Sequence, residues 1–149
     1  MQISAQGDYA VRAAIELAAR PGEPMSTETI ASRQEIPLPF CAKILNELRS
    51  AGLVRSRRGP GGGYLLQRAP EEMALIEILE AVEGPFGEVS GRDPEMVHPP
   101  GSAAELRVVW LALRTSMKNV VEGVTLADVV DATVPAEIAA LAGAKPAKA

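Results

Sequence analysis

The apolar residues of the first 50 positions recur at the three- and four-residue intervals that are typical of amphipathic helices. One such pattern runs over residues 8–20, and a shorter one follows Ser26, a residue type that caps helix N-termini. A third pattern begins at Pro37 or Pro39, because proline suits the first helical position, and ends at Gly52. The N-terminal third of the chain is therefore predicted to form three short helices joined by tight turns.

After Gly52 the pattern changes to the two-residue period of strands. Residues 53–56 and 64–66 read as two short strands, and the segment 57–63 between them holds four glycines. We therefore expect a β-hairpin with a glycine-rich tip. Three helices followed by a hairpin is the order of elements in a winged helix-turn-helix, whose third helix enters the major groove of DNA.

The second half of the chain is predicted to be helical around one irregular loop. Residues 75–82 have helical spacing, whereas residues 84–102 are rich in proline and glycine and have no period, so this loop is either mobile or built around something. Residues 103–122 form a long helix with an apolar stripe. The stripe consists of Leu106, Val109, Trp110, Leu113, Met117 and Val120. We expect it to pair two subunits into a homodimer, and the alternative is that it only covers the core of its own chain.

The end of the chain is predicted to hold one more short helix. Thr125 and Asp128 resemble a capping box, which would begin a helix that runs through Val130. The expected organisation is a winged helix-turn-helix domain at 1–83, a sensor-type loop at 84–102, a dimerisation helix with a C-terminal helix at 103–131, and a flexible tail at 132–149. The fold class is mainly α with a small β-hairpin wing.

Composition and charge restrict the class of protein. The 149 residues are 47% apolar and 23% charged, which is typical of one globular domain. The net charge of −4 is unevenly distributed: residues 1–68 carry +3 and residues 69–149 carry −7. A basic first half permits local contact with DNA phosphates. The sequence has no apolar run that could span a bilayer and no signal peptide, so we expect a cytoplasmic protein.

Several strings of the sequence resemble the Rrf-two family of winged helix-turn-helix repressors, whose branches are the IscR, NsrR and CymR types. The strongest strings are LRSAGLV at 48–54 and RGPGGGY at 58–64. Further matches lie at residues 3–4, 7–10, 80–84 and 124–130. The resemblance implies that the third helix reads the major groove and that Arg58 enters the minor groove.

The expected DNA contacts follow from the third helix and the wing. If Phe40, Ile44, Leu45 and Leu48 face the core, the opposite face of the helix is left for DNA. On that face Lys43 and Arg49 would hold phosphates, and the amide of Asn46 can pair with adenine. The complete expected set is Thr27, Pro39, Ala42, Lys43, Asn46, Arg49, Arg57, Arg58, Gly61 and Gly62. Ala42 stands where the IscR branch has a glutamate that discriminates between operators, so the target should differ.

The resemblance also indicates where the family's iron–sulfur cluster would lie. Many relatives carry three cysteines in the loop before the long helix, and the IscR branch has a Cys-x-x-His-x-x-Trp string that aligns with residues 104–110. This chain has no cysteine in the loop, and both the cysteine and the histidine of that string are replaced. We therefore expect no iron–sulfur cluster and no metal site. Asp8 matches an aspartate that ligates the cluster in the nitric-oxide branch, but its simpler interpretation is a helix N-cap. His98 is expected to be an exposed loop residue, and weak metal binding with Asp93 and Glu95 is the alternative.

Cys41 is the one cysteine of the chain. A lone helical cysteine is most often a small buried apolar residue. The alternative is a redox sensor whose thiol pKa is lowered by the helix dipole and Lys43.

The sequence therefore predicts a homodimeric DNA-binding transcription regulator, a repressor with a roughly palindromic operator, and not an enzyme. Its signal would be redox chemistry at Cys41 or a small ligand. The alternative function is a protein-interaction module with weak DNA affinity.

Overall fold

The computed structural model describes residues 2–143 and contains seven α-helices and one two-stranded antiparallel sheet within them. The elements are α1 (Ala5–Ala18), α2 (Thr27–Gln34), α3 (Leu38–Ser50), β1 (Val54–Arg57), β2 (Gly63–Leu66), α4 (Leu75–Glu83), α5 (Leu106–Glu122), α6 (Leu126–Val130) and α7 (Ala136–Leu141). Single 3-10 turns lie at Pro70–Glu72, Pro94–Met96 and Gly101–Ala103. The mainly α fold with a small hairpin is as predicted. No helix among the described residues has the length and apolarity needed to cross a membrane.

The N-terminus of α1 differs from the prediction. The helix is capped by Ser4, whose hydroxyl accepts a hydrogen bond from the N–H of Gly7 at 3.1 Å. Asp8 is therefore not the N-cap: it lies in the first turn, where its carboxylate pairs with Arg12 at 3.1 Å. Ser26 does cap α2, and its hydroxyl accepts from the N–H of Thr29 at 3.2 Å, as predicted.

The buried face of α3 is as predicted at three positions and differs at one. Ile44, Leu45 and Leu48 are fully buried, as expected, but the fourth core residue is Cys41 and not Phe40. The spacing 41, 44, 45, 48 follows the helical repeat, whereas residue 40 falls on the edge of the opposite face. Phe40 is 51% exposed.

The hairpin pairs Val54 with Leu66 and Arg57 with Gly63 at its two ends. The wing is attached to the segment that leads into α2, because Met25 and Tyr64 exchange backbone hydrogen bonds of 3.0 and 2.8 Å. The position of the wing relative to α2 and α3 is therefore fixed by backbone pairing as well as by side chains.

Helix α1 lies at the centre of the molecule. It contacts α2, α3, α4, α6 and β2. Its buried face is built from Ala10, Ala13 and Ala14, which are 0% exposed, together with Leu17 and Ala18. The small side chains allow several neighbouring elements to approach this one helix.

The loop between α4 and α5 is built on α5. Pro94 is fully buried, and Arg114 of α5 forms ion pairs with the residues on either side of it, at 2.6 Å to Asp93 and 3.1 Å to Glu95. The N–H of Glu95 and the nearby Arg114 guanidinium hold the pKa of Asp93 below its usual value. The loop is thus held against α5 by a buried proline and two ion pairs.

The predicted flexible tail is wrong for part of its length. Residues 136–141 form α7, and its Ile138 is half-buried close to Gly123 at the end of α5. The tail has no long apolar pattern, so a six-residue helix that packs near the end of α5 could not be predicted from the sequence. Residues 144–149 lie outside the described residues.

The capping box of α6 generates a test by pH. The N–H of Thr125 donates to Oδ2 of Asp128 at 2.9 Å, and the N–H of Asp128 donates to Oγ1 of Thr125 at 3.1 Å. The bond from Thr125 holds the pKa of Asp128 below its usual value. A carboxyl whose pKa is lower in the folded state stabilises above its unfolded pKa of about 3.9, and loses this contribution as the pH falls through the folded pKa.

We predict that Asp128→Asn lowers the free energy of unfolding by up to about 1 kcal/mol near pH 6, because a neutral amide replaces the capping carboxylate. The difference from the wild type should shrink as the pH falls through the lowered folded pKa of Asp128, where its carboxyl becomes neutral. Urea unfolding at a fixed protein concentration measures it. Asp131→Asn, at the other end of α6, is the control and should not show this pH-dependent loss. A gap between Asp128→Asn and the wild type that stays constant with pH would contradict the prediction.

Candidate DNA-binding surface

The outward face of α3 carries the five residues of this helix that the sequence assigned to DNA. All of them are exposed: Pro39, Ala42, Lys43, Asn46 and Arg49. This face lies opposite the buried residues of α3. Its surface is a mixture of small, amide and cationic groups, which is suited to a groove lined by base edges and phosphates.

Asn46 and Arg49 are joined in the free protein. The guanidinium of Arg49 donates to Oδ1 of Asn46 at 2.7 Å. Pairing an amide with adenine in a bidentate manner requires Oδ1 as acceptor and the amide N–H as donor. If Asn46 reads adenine, Arg49 must release Oδ1, and its guanidinium then becomes available to a phosphate.

Lys43 lies beside a half-buried carboxylate that is itself held by α1. Nζ of Lys43 is 3.8 Å from Oε1 of Glu47, whose Oε2 accepts from the side chain of Gln6 at 2.6 Å. An exposed ion pair of this kind contributes about 0–1 kcal/mol. The pair is therefore too weak to keep the Lys43 ammonium from a phosphate.

The wing presents more positive charge than the sequence interpretation assigned to it. Arg57 and Arg58 are exposed, as expected, and so is Arg55. Arg55 lies two residues before Arg57 on β1, and alternation along a strand places such residues on the same side. This period-two spacing could have identified Arg55. No ion pair among the described residues engages any of these three arginines or Arg49.

The tip of the wing has a shape that only glycine permits. Gly59 and Gly61 have positive φ angles of 92° and 71°, and the N–H of Gly62 donates to the carbonyl of Gly59 at 2.9 Å. A Cβ at Gly62 would collide with the carbonyl oxygen of Arg57 and lie 2.8 Å from that of Gly59. The glycines therefore fix the turn that carries Arg57 and Arg58.

The remaining expected contact residues, Thr27, Gly61 and Gly62, lie around the start of α2. Thr27 is the first residue of α2 and is half-buried, and its carbonyl accepts a weak hydrogen bond from Sγ of Cys41 at 3.7 Å. Gly61 and Gly62 line an open cleft of about 290 Å³ together with Ser26, Thr29 and other residues around the start of α2. The expected contact residues thus come from three neighbouring elements: α2, α3 and the wing.

Cys41 is a core residue in this structure. Its side chain is 0% exposed, and burial, with a smaller effect from the Glu28 carboxylate, raises the pKa of its thiol. The expectation that the helix dipole and Lys43 lower this pKa is therefore wrong in direction. A thiol that is both buried and protonated is a poor nucleophile.

The geometry of this surface agrees with comparisons to known proteins. A model of the Rrf2 family, described as an iron-dependent transcriptional regulator, matches residues 3–132. This chain belongs to the Rrf2 family. A Mycobacterium tuberculosis protein that is provisionally named an HTH-type transcriptional regulator is 42% identical over 145 residues, which cover 95% of this chain and 89% of the relative.

Solved structures of Rrf2-family regulators have the same fold. CymR, described as the global cysteine regulator of B. subtilis, superposes with a TM-score of 0.77 at 33% identity, covering 89% of this chain and 98% of that one. IscR of T. potens gives a TM-score of 0.73 at 32% identity and covers 89% and 88%. The winged helix-turn-helix prediction is confirmed, and this Rrf2 protein is a DNA-binding type of transcriptional regulator.

The residues of this Rrf2 protein do not fit an iron–sulfur cluster. Its one cysteine is buried in α3, far along the chain from the loop before α5, and thiolate sulfur is the donor that such clusters require. In that loop Asp93 and Glu95 are engaged by Arg114, and His98 is exposed. Nowhere in residues 2–143 do three His, Cys, Asp or Glu side chains come together as a group that could hold a metal.

The wing tip generates a second test. We predict that Gly62→Ala weakens DNA binding at least about tenfold, because the turn must open to admit Cβ and the wing arginines then move. Binding is measured by fluorescence anisotropy on a duplex that the wild type selects, with thermal unfolding in parallel. Gly101→Ala is the matched control, since Gly101 also has a positive φ, of 57°, but lies outside the wing with no atom in the way. Equal affinity of Gly62→Ala and Gly101→Ala would show that the tip shape is not needed.

Proposed function

We propose that this Rrf2 protein represses transcription as a homodimer that places two copies of α3 and of the wing on a roughly palindromic operator. The observation that carries the proposal is the exposed surface of α3 and β1, on which Arg49, Arg55, Arg57 and Arg58 form no ion pair with any acidic group of residues 2–143. Unpaired cations on a recognition helix and a wing are available to neutralise phosphates on both sides of a groove.

The long helix supports the dimer. The six residues of the predicted stripe fall within about 100° of the circumference of α5, at about 100° per residue. Three of them stay exposed in the single chain: Leu106 at 38%, Val109 at 54% and Leu113 at 39%. If the stripe only covered the core of its own chain, these side chains would be buried. The exposed apolar face therefore favours pairing with a second copy of α5.

We propose further that the regulator works without an iron–sulfur cluster and that Cys41 is a packing residue. The loop before α5 supplies no thiolate, and the buried Cys41 thiol with its raised pKa is not suited to sensing oxidants. Of the two signals considered for this chain, a small ligand remains as the prediction.

The alternative function, a protein-interaction module with weak DNA affinity, differs in its salt dependence. Each phosphate contact releases counterions, so the affinity of a DNA-binding protein falls steeply with salt. An interaction module that binds DNA weakly through a few incidental contacts has a shallow dependence.

The test begins with protein purified under nitrogen and assayed for iron and sulfide, which should both be absent. Duplexes are then selected from a random library, and affinity for the best one is measured between about 50 and 300 mM salt. We predict a steep fall, and Arg58→Ala should weaken binding and reduce the salt slope by about one. Arg92→Ala is the control, since Arg92 is exposed in the loop after α4. A failure to select any duplex would favour the interaction module, and a stoichiometric cluster would overturn the ligand argument.

The dimer is tested on α5. We predict that Leu113→Glu gives a monomer in sedimentation equilibrium and lowers affinity for a palindromic duplex, because two like charges would face each other in an apolar interface. Val108→Glu is the matched control: Val108 is 58% exposed on the same helix but lies outside the stripe. Dissociation caused by Val108→Glu and not by Leu113→Glu would place the interface on another face of α5.

A further inference from the structure

Phe40 is an aromatic side chain on the surface from which the chain is proposed to bind DNA. It is 51% exposed and occupies the third position of α3, in the turn that a recognition helix presents to base edges. It lies three residues before Lys43, and residues three apart are neighbours on a helix surface. A large exposed aromatic group is not explained by the core, because Cys41 fills the core position of this turn.

The ring of Phe40 is supported from α1. The rings of Phe40 and Tyr9 have their centroids 6.3 Å apart and are tilted by 60°. The guanidinium of Arg12 lies over the ring of Tyr9, 5.4 Å from its centroid. Arg12 is in turn held by Asp8. Phe40 is therefore an apolar group whose position is set before any ligand binds, and this lowers the cost of ordering it on binding.

We propose that Phe40 is a specificity-determining residue that contacts the 5-methyl group of a thymine in the major groove. The proposal rests on the DNA-binding function proposed above and adds the chemistry by which one base of the operator is recognised. Phenylalanine has no hydrogen-bond donor or acceptor, so it gains nothing from phosphates or from the polar edges of bases. The thymine methyl is the apolar group that the major groove offers, and apolar side chains read it by contact.

The charges around Phe40 favour this occupant over an apolar protein partner. Lys43 lies three residues after Phe40 with the Glu47 carboxylate 3.8 Å from its ammonium, and Asn46 and Arg49 lie three and six residues beyond Lys43 on the outward face. The Lys43–Glu47 pair is weak enough for a phosphate to displace it. An aromatic group beside such a cation, with an amide and a second cation further along, matches a groove in which methyl groups lie between phosphates and polar base edges. A protein partner would need an apolar surface ringed by carboxylates to fit the same set.

The experiment deletes the methyl group from the DNA. The wild type first selects a duplex from a random library, and each thymine of one half-site is then replaced by deoxyuridine, which lacks only the methyl. We predict that one replacement weakens wild-type binding about fourfold, the factor expected for loss of one buried methyl-sized group. In Phe40→Ala the affinity for the thymine duplex falls, and that same replacement has no further effect.

The controls separate Phe40 from its surroundings. Leu38→Ala removes the other exposed apolar residue of the first turn, which is 46% exposed, and should leave the deoxyuridine effect intact. Phe40→Tyr keeps the ring and should also retain it. Thermal unfolding of each variant shows whether the fold is preserved.

The outcomes distinguish the two proposals. If no duplex is selected, the DNA-binding function fails. If a duplex is selected but contains no thymine whose methyl matters, or if the methyl effect persists in Phe40→Ala, the role of Phe40 is overturned while DNA binding stands. If the effect disappears in Leu38→Ala and not in Phe40→Ala, the reading residue is Leu38.

Discussion

The close packing of other elements on the alanine face of α1 is the constraint on which the rest of this structure depends. Ala10, Ala13 and Ala14 have no exposed surface, and α1 is in contact with α2, α3, α4, α6 and β2. A larger side chain at any of the three would have to displace a neighbouring element, and overpacking of this kind costs about 1–3 kcal/mol. Since α3 and α4 both pack against α1, the helix proposed to face DNA and the helix that contacts α5 are supported by the same element.

The separation of apolar side chains in the core from charged side chains on the surface follows from this packing. Within residues 2–143 no polar or charged side chain is buried, and the ion pairs all include exposed or half-buried groups. Apolar packing and backbone pairing therefore do most to determine where the elements lie, and charged groups outside the ion pairs remain available to partners. An acidic protein can present a basic surface because charges are screened beyond about 10 Å at ordinary salt. The net positive charge of the first 68 residues is therefore compatible with the proposed phosphate contacts, whatever the sign of the rest.

The sequence predicted this fold well where local chemistry decides it, and failed where packing decides it. Ser26 and the Thr125–Asp128 box cap their helices as predicted, because capping is a contact between residues three apart. On α3 one of the four predicted core residues was wrong: Phe40 is more apolar than Cys41, and its contact with Tyr9 of α1 on the surface cannot be seen in the sequence. Helix α7 was missed for a related reason, because its half-buried Ile138 rests near α5, which is distant in sequence.

The loop before α5 shows how the chain holds a proline-rich segment in place without sulfur ligands. Pro94 is buried, while Asp93 and Glu95 beside it are exposed and both reach the guanidinium of Arg114. Exposed ion pairs contribute about 0–1 kcal/mol each, so the buried proline supplies more of the stabilisation than the charges do. The two carboxylates instead fix the register of the loop, because a planar guanidinium offers its donors in fixed directions. Helix α5 is thus positioned from two sides, by α4 and by this loop, and α4 also packs on α1 and α3. A change in the loop would reach α3, the helix proposed to read DNA, through α5 and α4, across three packed contacts.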